Sequence, residues 1–237
     1  MYTPFQAVQS PYYGDTFSRT PPPDLESLLL QERIVYLGMP LSPAVAQLII
    51  AELLYLQSED PEKPIKLYIN SVGELSGYET SAFAICDTMK YIKPPIYTIC
   101  VGYAVGMAAM LLSAGTKGFR ASLPNSTIVL LQTQGRAQGQ ATDIQIRAKE
   151  VLDTRATMID IFASNTGQPP EKVKKDMDRL LYMTPLEAKE YGLIDRVLES
   201  EKKAGLVTTS TKLTWQGLLG SRMDGYPNLL ALVSTFT

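Results

Sequence analysis

The sequence predicts an α/β fold: a parallel sheet of repeated β-β-α and βα units, with one projecting handle of ribbon plus long helix. Three observations carry this prediction. Short runs rich in β-branched and aromatic residues alternate with helix-periodic segments through the first half of the chain. A stretch rich in Gln and Gly, Gln132 to Gln140, then breaks the alternation and leads into a long helical pattern. The 237 residues are 45% hydrophobic and 19% charged, which suits one globular domain with a real core and flanking tails.

The elements follow in order. Residues 1–31 lack a strand or helix period until Asp24, which can cap a short helix through Leu25, Leu28 and Leu29. Arg33 to Gly38 reads as a strand. Ser42 and Pro43 open a helix to about Ser58, with Val45, Leu48, Ile49, Leu53 and Leu56 on one face. Ile65 to Asn70 is the next strand, followed by a turn through Gly77 and a helix to about Lys90. Ile96 to Cys100 reads as a buried parallel strand. Short strands at Gly118 to Ala121 and Thr127 to Leu131 extend the sheet. Thr142 with Gln145 is a capping-box sequence for the long helix, which carries Ile144, Ala148, Val151, Leu152, Met158 and Phe162. Such a helix after a polar ribbon suits projection toward another subunit. Pro169-Pro170 opens a charged helix to about Arg179. Thr184 to Glu187 is a second capping box, its helix ends at Gly192, and Leu193 to Leu198 closes the sheet. The pattern weakens from Glu199 onward.

Val101 to Gly115 is the stretch with the sharpest chemical implication. Gly102, Ala104 and Gly106 let the chain turn after the buried strand, and a helix of small and apolar residues starts at Met107. A strand, tight turn and helix hold a corner residue at the mouth of a sheet, backed by free N–H groups. A serine hydrolase keeps its nucleophile there, yet the corner residue is Gly106. The chain also contains no histidine, so no imidazole can shuttle a proton near neutral pH. With only Cys86 and Cys100 as soft ligands, most zinc and iron sites are excluded, and both read as buried reduced thiols. A net charge of −2 gives no footprint for nucleic acid, and no apolar run nears the roughly 20 residues of a membrane span. No metal or cofactor is expected. No secretory signal and no Arg- and Ser-rich transit segment is evident, so the expected location is the cytoplasm, or the stroma for a plastid protein.

Eight blocks stand in the order of one known family: Glu32 to Gly38, Glu59 to Lys63, Leu67 to Ser71, Tyr91 to Pro94, Thr98 to Gly102, Leu123 to Ser126, Ala137 to Asp143, and Glu187 to Asp195. Through them the chain resembles the ClpP peptidase family, whose fold is shared with the crotonases. Among its members it is most similar to ClpR, the non-catalytic ClpP paralogue of cyanobacteria and plastids. The resemblance implies an N-terminal axial or disordered segment (1–31), a ClpP-like core (32–198) with its handle at about 132–165, and a C-terminal extension (199–237).

The resemblance also locates sites. The family's nucleophile, base and orienting acid match Gly106, Leu131 and Leu180, none of which can perform those roles. The oxyanion-hole positions match Gly73, Glu74 and Met107, with extra residues in the turn after Glu74. Lys66, Tyr68 and Tyr91 match positions where an unfoldase docks, and Lys66 replaces an aromatic residue there. Gln138, Gln140, Asp178 and Arg179 match positions at the contact between rings. The implied role is a proteolytically inactive structural and regulatory subunit. Its implied partners are active ClpP-type subunits, in a mixed heptameric or tetradecameric core, and an AAA+ unfoldase of the ClpC or ClpX type. Two alternatives compete with it. One is an active serine peptidase rewired around Ser71, Ser76 or Ser113 with a lysine base. The other is a crotonase-like acyl-CoA enzyme using Glu74 or Glu79 as base.

Overall fold

The computed structural model describes residues 25–74, 78–133, 135 and 137–199. The cap at Asp24, the segments 1–24 and 200–237, and Ser76 lie outside the described residues. In chain order the elements are α1 (Leu25–Gln31), β1 (Ile34–Leu37), α2 (Pro43–Glu59), β2 (Ile65–Ser71), α3 (Glu79–Tyr91), β3 (Ile96–Val105) and α4 (Met107–Ser113). There follow β4 (Ala121–Ser122), β5 (Thr127–Leu130), α5 (Ala141–Thr166), α6 (Pro170–Met177), β6 (Leu181–Met183), α7 (Pro185–Tyr191) and β7 (Arg196–Val197).

The sheet runs β1-β2-β3-β4-β7, with every pair parallel. β5 joins β3 in parallel beyond β4, and β6 pairs with β5 antiparallel. The α/β architecture agrees with the sequence. The antiparallel β6 was not anticipated, because three residues of Leu-Tyr-Met carry too short a pattern to read as a strand.

Burial explains why the strands read so clearly. Ile65, Leu67 and Ile69 of β2 and Cys100 and Ala104 of β3 have no exposed surface. Their core is closed by Ile85 and Cys86 of α3, by the wholly buried α4, and by Leu53 and Leu56 of α2. Ser42 caps α2 through a bond from Val45 N–H, with Pro43 at the first helical position, as its sequence implies. Leu48 departs from the expected buried face and is 48% exposed. The buried stripe of α2 instead runs through Ala46, Ile49, Leu53 and Leu56.

β3 also departs from expectation. The strand does not stop at Cys100; it continues to Val105 across an irregularity in its pairing with β2. Ile69 lies opposite Cys100, but Ser71 lies opposite Ala104. The Asn70 side chain takes up the slack by accepting Tyr103 N–H at 3.2 Å. Gly102, at φ +147°, is needed beside it, since a Cβ there would sit 2.7 Å from that Asn70 oxygen. Only Gly106 therefore makes the corner.

α5 begins two residues earlier than its capping-box sequence implies. Its cap is Gln140, without a side-chain bond, so Thr142 falls inside the helix. Only Met158, Ile159 and Phe162 of this helix are buried. Ile144, Ile146 and Leu152 are exposed, so the N-terminal half lies off the core. α7 carries the predicted capping box in full, with Thr184 and Glu187 bonded reciprocally and Gly192 closing the helix in the left-handed region. β4 and β7 are shorter than expected, and Leu193 and Ile194 serve the core rather than the sheet.

Two charged groups lock the periphery. Arg33, at φ +59°, donates to the carbonyls of Asp60, Lys63 and Pro64 and pins the loop between α2 and β2. Arg120 is 5% exposed at its side chain and pairs bidentately with Asp195, which also accepts the N–H groups of Gly118 and Arg120. Burial alone would raise the Asp195 carboxyl. The Arg120 guanidinium and the two N–H donors outweigh burial and hold it below the usual carboxylate range.

Two tests follow from this packing. Phe162→Ala should cost about 3–5 kcal/mol, while Ile146→Ala, at 69% exposed, should change the stability of the single chain by less than about 0.5 kcal/mol; urea unfolding measures both. Asp195→Asn should cost about 3 kcal/mol at neutral pH by leaving Arg120 without its counter-ion. Because the folded pKa of Asp195 is depressed, its contribution is complete above the unfolded value of about 3.9 and fades as pH falls through the folded value. The gap between wild type and variant should therefore close in acid, as read by unfolding midpoints from neutral to low pH.

Candidate functional site

The site is built at the end of β3. Val105 leads into Gly106 at φ +55°, ψ −114°, and α4 starts at the next residue. Gly106 N–H donates to Val129 O of β5 at 2.9 Å, which ties the corner to the neighbouring strand. The strand-corner-helix unit anticipated from Val101 to Gly115 is therefore present, with a hydrogen atom where a side chain would project.

Three other segments converge on this corner. Gly73, at φ +94°, packs so closely that a Cβ would lie 2.6 Å from Val105 O. Its carbonyl accepts Leu41 N–H at 2.8 Å, and Glu74 forms an isolated parallel bridge with Leu41. The Glu74 side chain then reaches the corner, where Oε2 accepts Met107 N–H at 3.3 Å. Burial pushes the Glu74 carboxyl up, and the nearby Glu79 carboxylate adds to this; the N–H groups of Glu74 and Met107 partly offset both. Leu131 lies just beyond β5, its Cβ 3.9 Å from where a Gly106 Cβ would stand.

Leu180 is 55% exposed immediately before β6. β5 and β6 pair Leu130 with Leu181 as the last pair of their antiparallel ladder, and Leu131 and Leu180 each lie one residue beyond it. Gly106, Leu131 and Leu180 are thus brought to one end of the sheet. Gly73, Glu74 and Met107 flank them.

The remaining positions lie elsewhere. Lys66 and Tyr68 are on β2, with Tyr68 opposite Tyr36 of β1, and Tyr91 ends α3 at 79% exposed. Near the same sheet edge is a cavity of about 290 Å³, lined in part by Leu29, Tyr36, Met39 and Leu48. Its exposed apolar side chains escaped the sequence reading because Leu48 fitted a buried stripe by period. Gln138 and Gln140 are exposed ahead of α5. Asp178 accepts a hydrogen bond from Arg155 of α5, and Arg179 beside it is exposed. Arg155 was not singled out, since 23 residues separate it from Asp178.

Among the described residues, the alternative nucleophiles Ser71 and Ser113 are engaged. Ser71 is buried, donates to Met39 O at 2.7 Å and accepts Gly73 N–H. Ser113 is buried, donates to Met110 O and accepts from Asn165 Nδ2. Cys86 and Cys100 are buried and unpaired, and burial pushes both thiols up. Among the described residues no three His, Cys, Asp or Glu side chains group as metal ligands, and no helix is long and apolar enough to cross a membrane.

This frame matches known proteins over most of its length. The Clp protease family profile matches residues 22–201. The chain belongs to the Clp protease family. It is 64% identical over 210 residues to a Clp protease "proteolytic subunit-like" protein of Synechocystis sp., covering 82% of this chain and 93% of the relative. It is 58% identical to an ATP-dependent Clp protease proteolytic subunit 2 of Gloeobacter violaceus, covering 81% and 88%. It is 52% identical to an ATP-dependent Clp protease proteolytic subunit-related protein 4, chloroplastic, of Arabidopsis thaliana, covering 81% of this chain and 65% of that relative. The expected likeness to ClpR-type members agrees with these relatives.

The corner of this Clp-family chain yields a stability test. Gly106→Ala would place a β-carbon in a left-handed conformation, 3.3 Å from Glu74 Oε2. It should cost about 1–3 kcal/mol. Part of that cost should be recovered in the Gly106→Ala/Glu74→Ala double variant, so a thermal double-mutant cycle should show a coupling of the same sign.

Proposed function

We propose that this chain is a proteolytically inactive subunit of a Clp-type protease core. It assembles with active ClpP-type subunits into mixed heptameric rings, stacked as a tetradecamer, that dock an AAA+ unfoldase of the ClpC or ClpX type. The observation that carries the reading is the corner itself. Gly106 offers no hydroxyl, Leu131 and Leu180 stand at the positions where a base and its orienting acid would be needed, and the chain supplies no imidazole. None of these side chains can accept or donate a proton.

Features that serve assembly are retained beside that loss. The N-terminal half of α5 presents Ile144, Ile146 and Leu152 to solvent, and an apolar helical face of this kind favours burial against another subunit. In this reading Gln138, Gln140, Asp178 and Arg179 lie at the contact between rings, and Arg155 fixes the orientation of Asp178. Lys66, Tyr68 and Tyr91 contribute to the docking face. A lysine there weakens an apolar pocket and makes docking to this subunit selective. The assembly works in the cytoplasm, or in the stroma for a plastid form.

The two alternatives fit less well. The hydroxyls of Ser71 and Ser113 bond to main-chain groups and to Asn165 rather than to a lysine amine. A crotonase-like enzyme needs its backbone donors open to a thioester oxygen, whereas Met107 N–H already holds Glu74.

Hydrolysis of a short fluorogenic peptide tests the proposal. The purified chain should show no turnover alone. Mixed with an active ClpP-type subunit, it should enter heptamers of mixed composition, read by native mass spectrometry. Turnover by the chain alone, lost on mutating Ser71, Ser76 or Ser113, would replace this reading with the rewired peptidase.

A further inference from the structure

Glu74 is more than a substitution in a loop. A peptide carbonyl attacked from the corner would present its oxygen to the N–H groups of Glu74 and Met107, because those donors flank the corner residue. The Glu74 carboxylate already takes the second of these: Oε2 accepts Met107 N–H at 3.3 Å. A β-carbon on Gly106 would stand 3.3 Å from Oε2 and 4.0 Å from Oε1, so the carboxylate occupies the space into which a nucleophile would project.

We propose that Glu74 is a built-in plug whose carboxylate fills the oxyanion position and closes the corner to peptide carbonyls. This blocks the site independently of the missing hydroxyl and imidazole. The inference rests on the reading of Gly106 as the nucleophile position and Met107 as an oxyanion donor.

The plug is held from behind. Leu41 N–H bonds to Gly73 O, Leu41 bridges Glu74, and Ser71 Oγ accepts Gly73 N–H at 3.2 Å while donating to Met39 O. Leu41 itself is fully buried, so this backbone has little freedom to swing the carboxylate away. An incoming peptide would have to displace this tethered carboxylate.

The test uses the full chain in two backgrounds. The first is a rebuilt triad, Gly106→Ser/Leu131→His/Leu180→Asp, with and without Glu74→Ala, challenged with a fluorophosphonate probe. The rebuilt chain should label at least about 100-fold more slowly than the same chain carrying Glu74→Ala, the scale of losing an oxyanion donor. Equal labelling of the two would overturn the plug. The second background needs no rebuilt chemistry. Glu74→Ala alone should speed hydrogen exchange at the Met107 amide at least tenfold, and an unchanged rate would also overturn it. Faster exchange with neither rebuilt chain labelled would overturn the plug together with the assignment of Gly106 as nucleophile position, leaving Glu74 as a cap on the Met107 amide only.

Discussion

Everything in this chain hangs on β3. The strand is hydrogen-bonded on one side to β2 and on the other first to β4 and then to β5. A strand paired on both edges and covered by helices must be apolar or small along its buried face, and Ile96, Cys100 and Ala104 meet that need. Because β4 and β5 share one edge of β3 in succession, β5 runs out beside the end of β3. That end is Gly106. The geometry that places Leu131 next to the corner is thus a consequence of sheet topology, and it persists whatever residues stand there. Once Gly106 N–H is bonded to Val129 O, the corner is as fixed as the strand that feeds it.

This separation of frame from chemistry means that the geometry of the corner does not depend on which side chains stand at its mouth. The left-handed turn, the wholly buried α4 and the close approach of Gly73 to Val105 O are packing requirements of the sheet. Losing them would open the core. Losing a hydroxyl or an imidazole costs the fold nothing, since those groups lie at its mouth. In the proposed reading, leucines at 131 and 180 stand where polar groups would need partners, and apolar side chains need none. Gly106 goes a step further by removing the side chain, which leaves room for the Glu74 carboxylate.

Much of this was legible in the sequence, for identifiable reasons. Strands with one wholly buried face, such as β2 with Ile65, Leu67 and Ile69, have few other readings, and α2 and α7 announce themselves through Ser42-Pro43 and the Thr184–Glu187 box. The capping box at Thr142 misled because the same residues are also acceptable helix interior, and Gln140 took the cap without a side-chain bond. β3 was read too short because glycines at 102 and 106 look alike in sequence. One accommodates Asn70 beside an irregular ladder, and the other turns the chain. Gly106, Leu131 and Leu180 could be placed only by resemblance to a known family, since no local pattern joins residues so far apart. What no sequence pattern could supply was contact across the fold. Glu74 meets Met107, and Arg155 meets Asp178, only after the sheet and the helices are assembled.

The arrangement also sets what α5 can do. Its C-terminal half is anchored by Phe162, Met158 and Ile159, while Arg155 bridges to Asp178 at the end of α6. That ion pair stands at the boundary between the docked half and the exposed half. An exposed ion pair contributes little to stability in water, so its value there is directional. It ties the helix laterally where the remaining turns leave the core, and the unbroken helix carries Ile144, Ile146 and Leu152 onward from there. A helix face exposed in the single chain must be presented at a set angle to fit a neighbour, whether that neighbour is a copy of this chain or an active relative. In the proposed reading, a shared angle rather than shared chemistry lets a subunit without a nucleophile stand among subunits that have one.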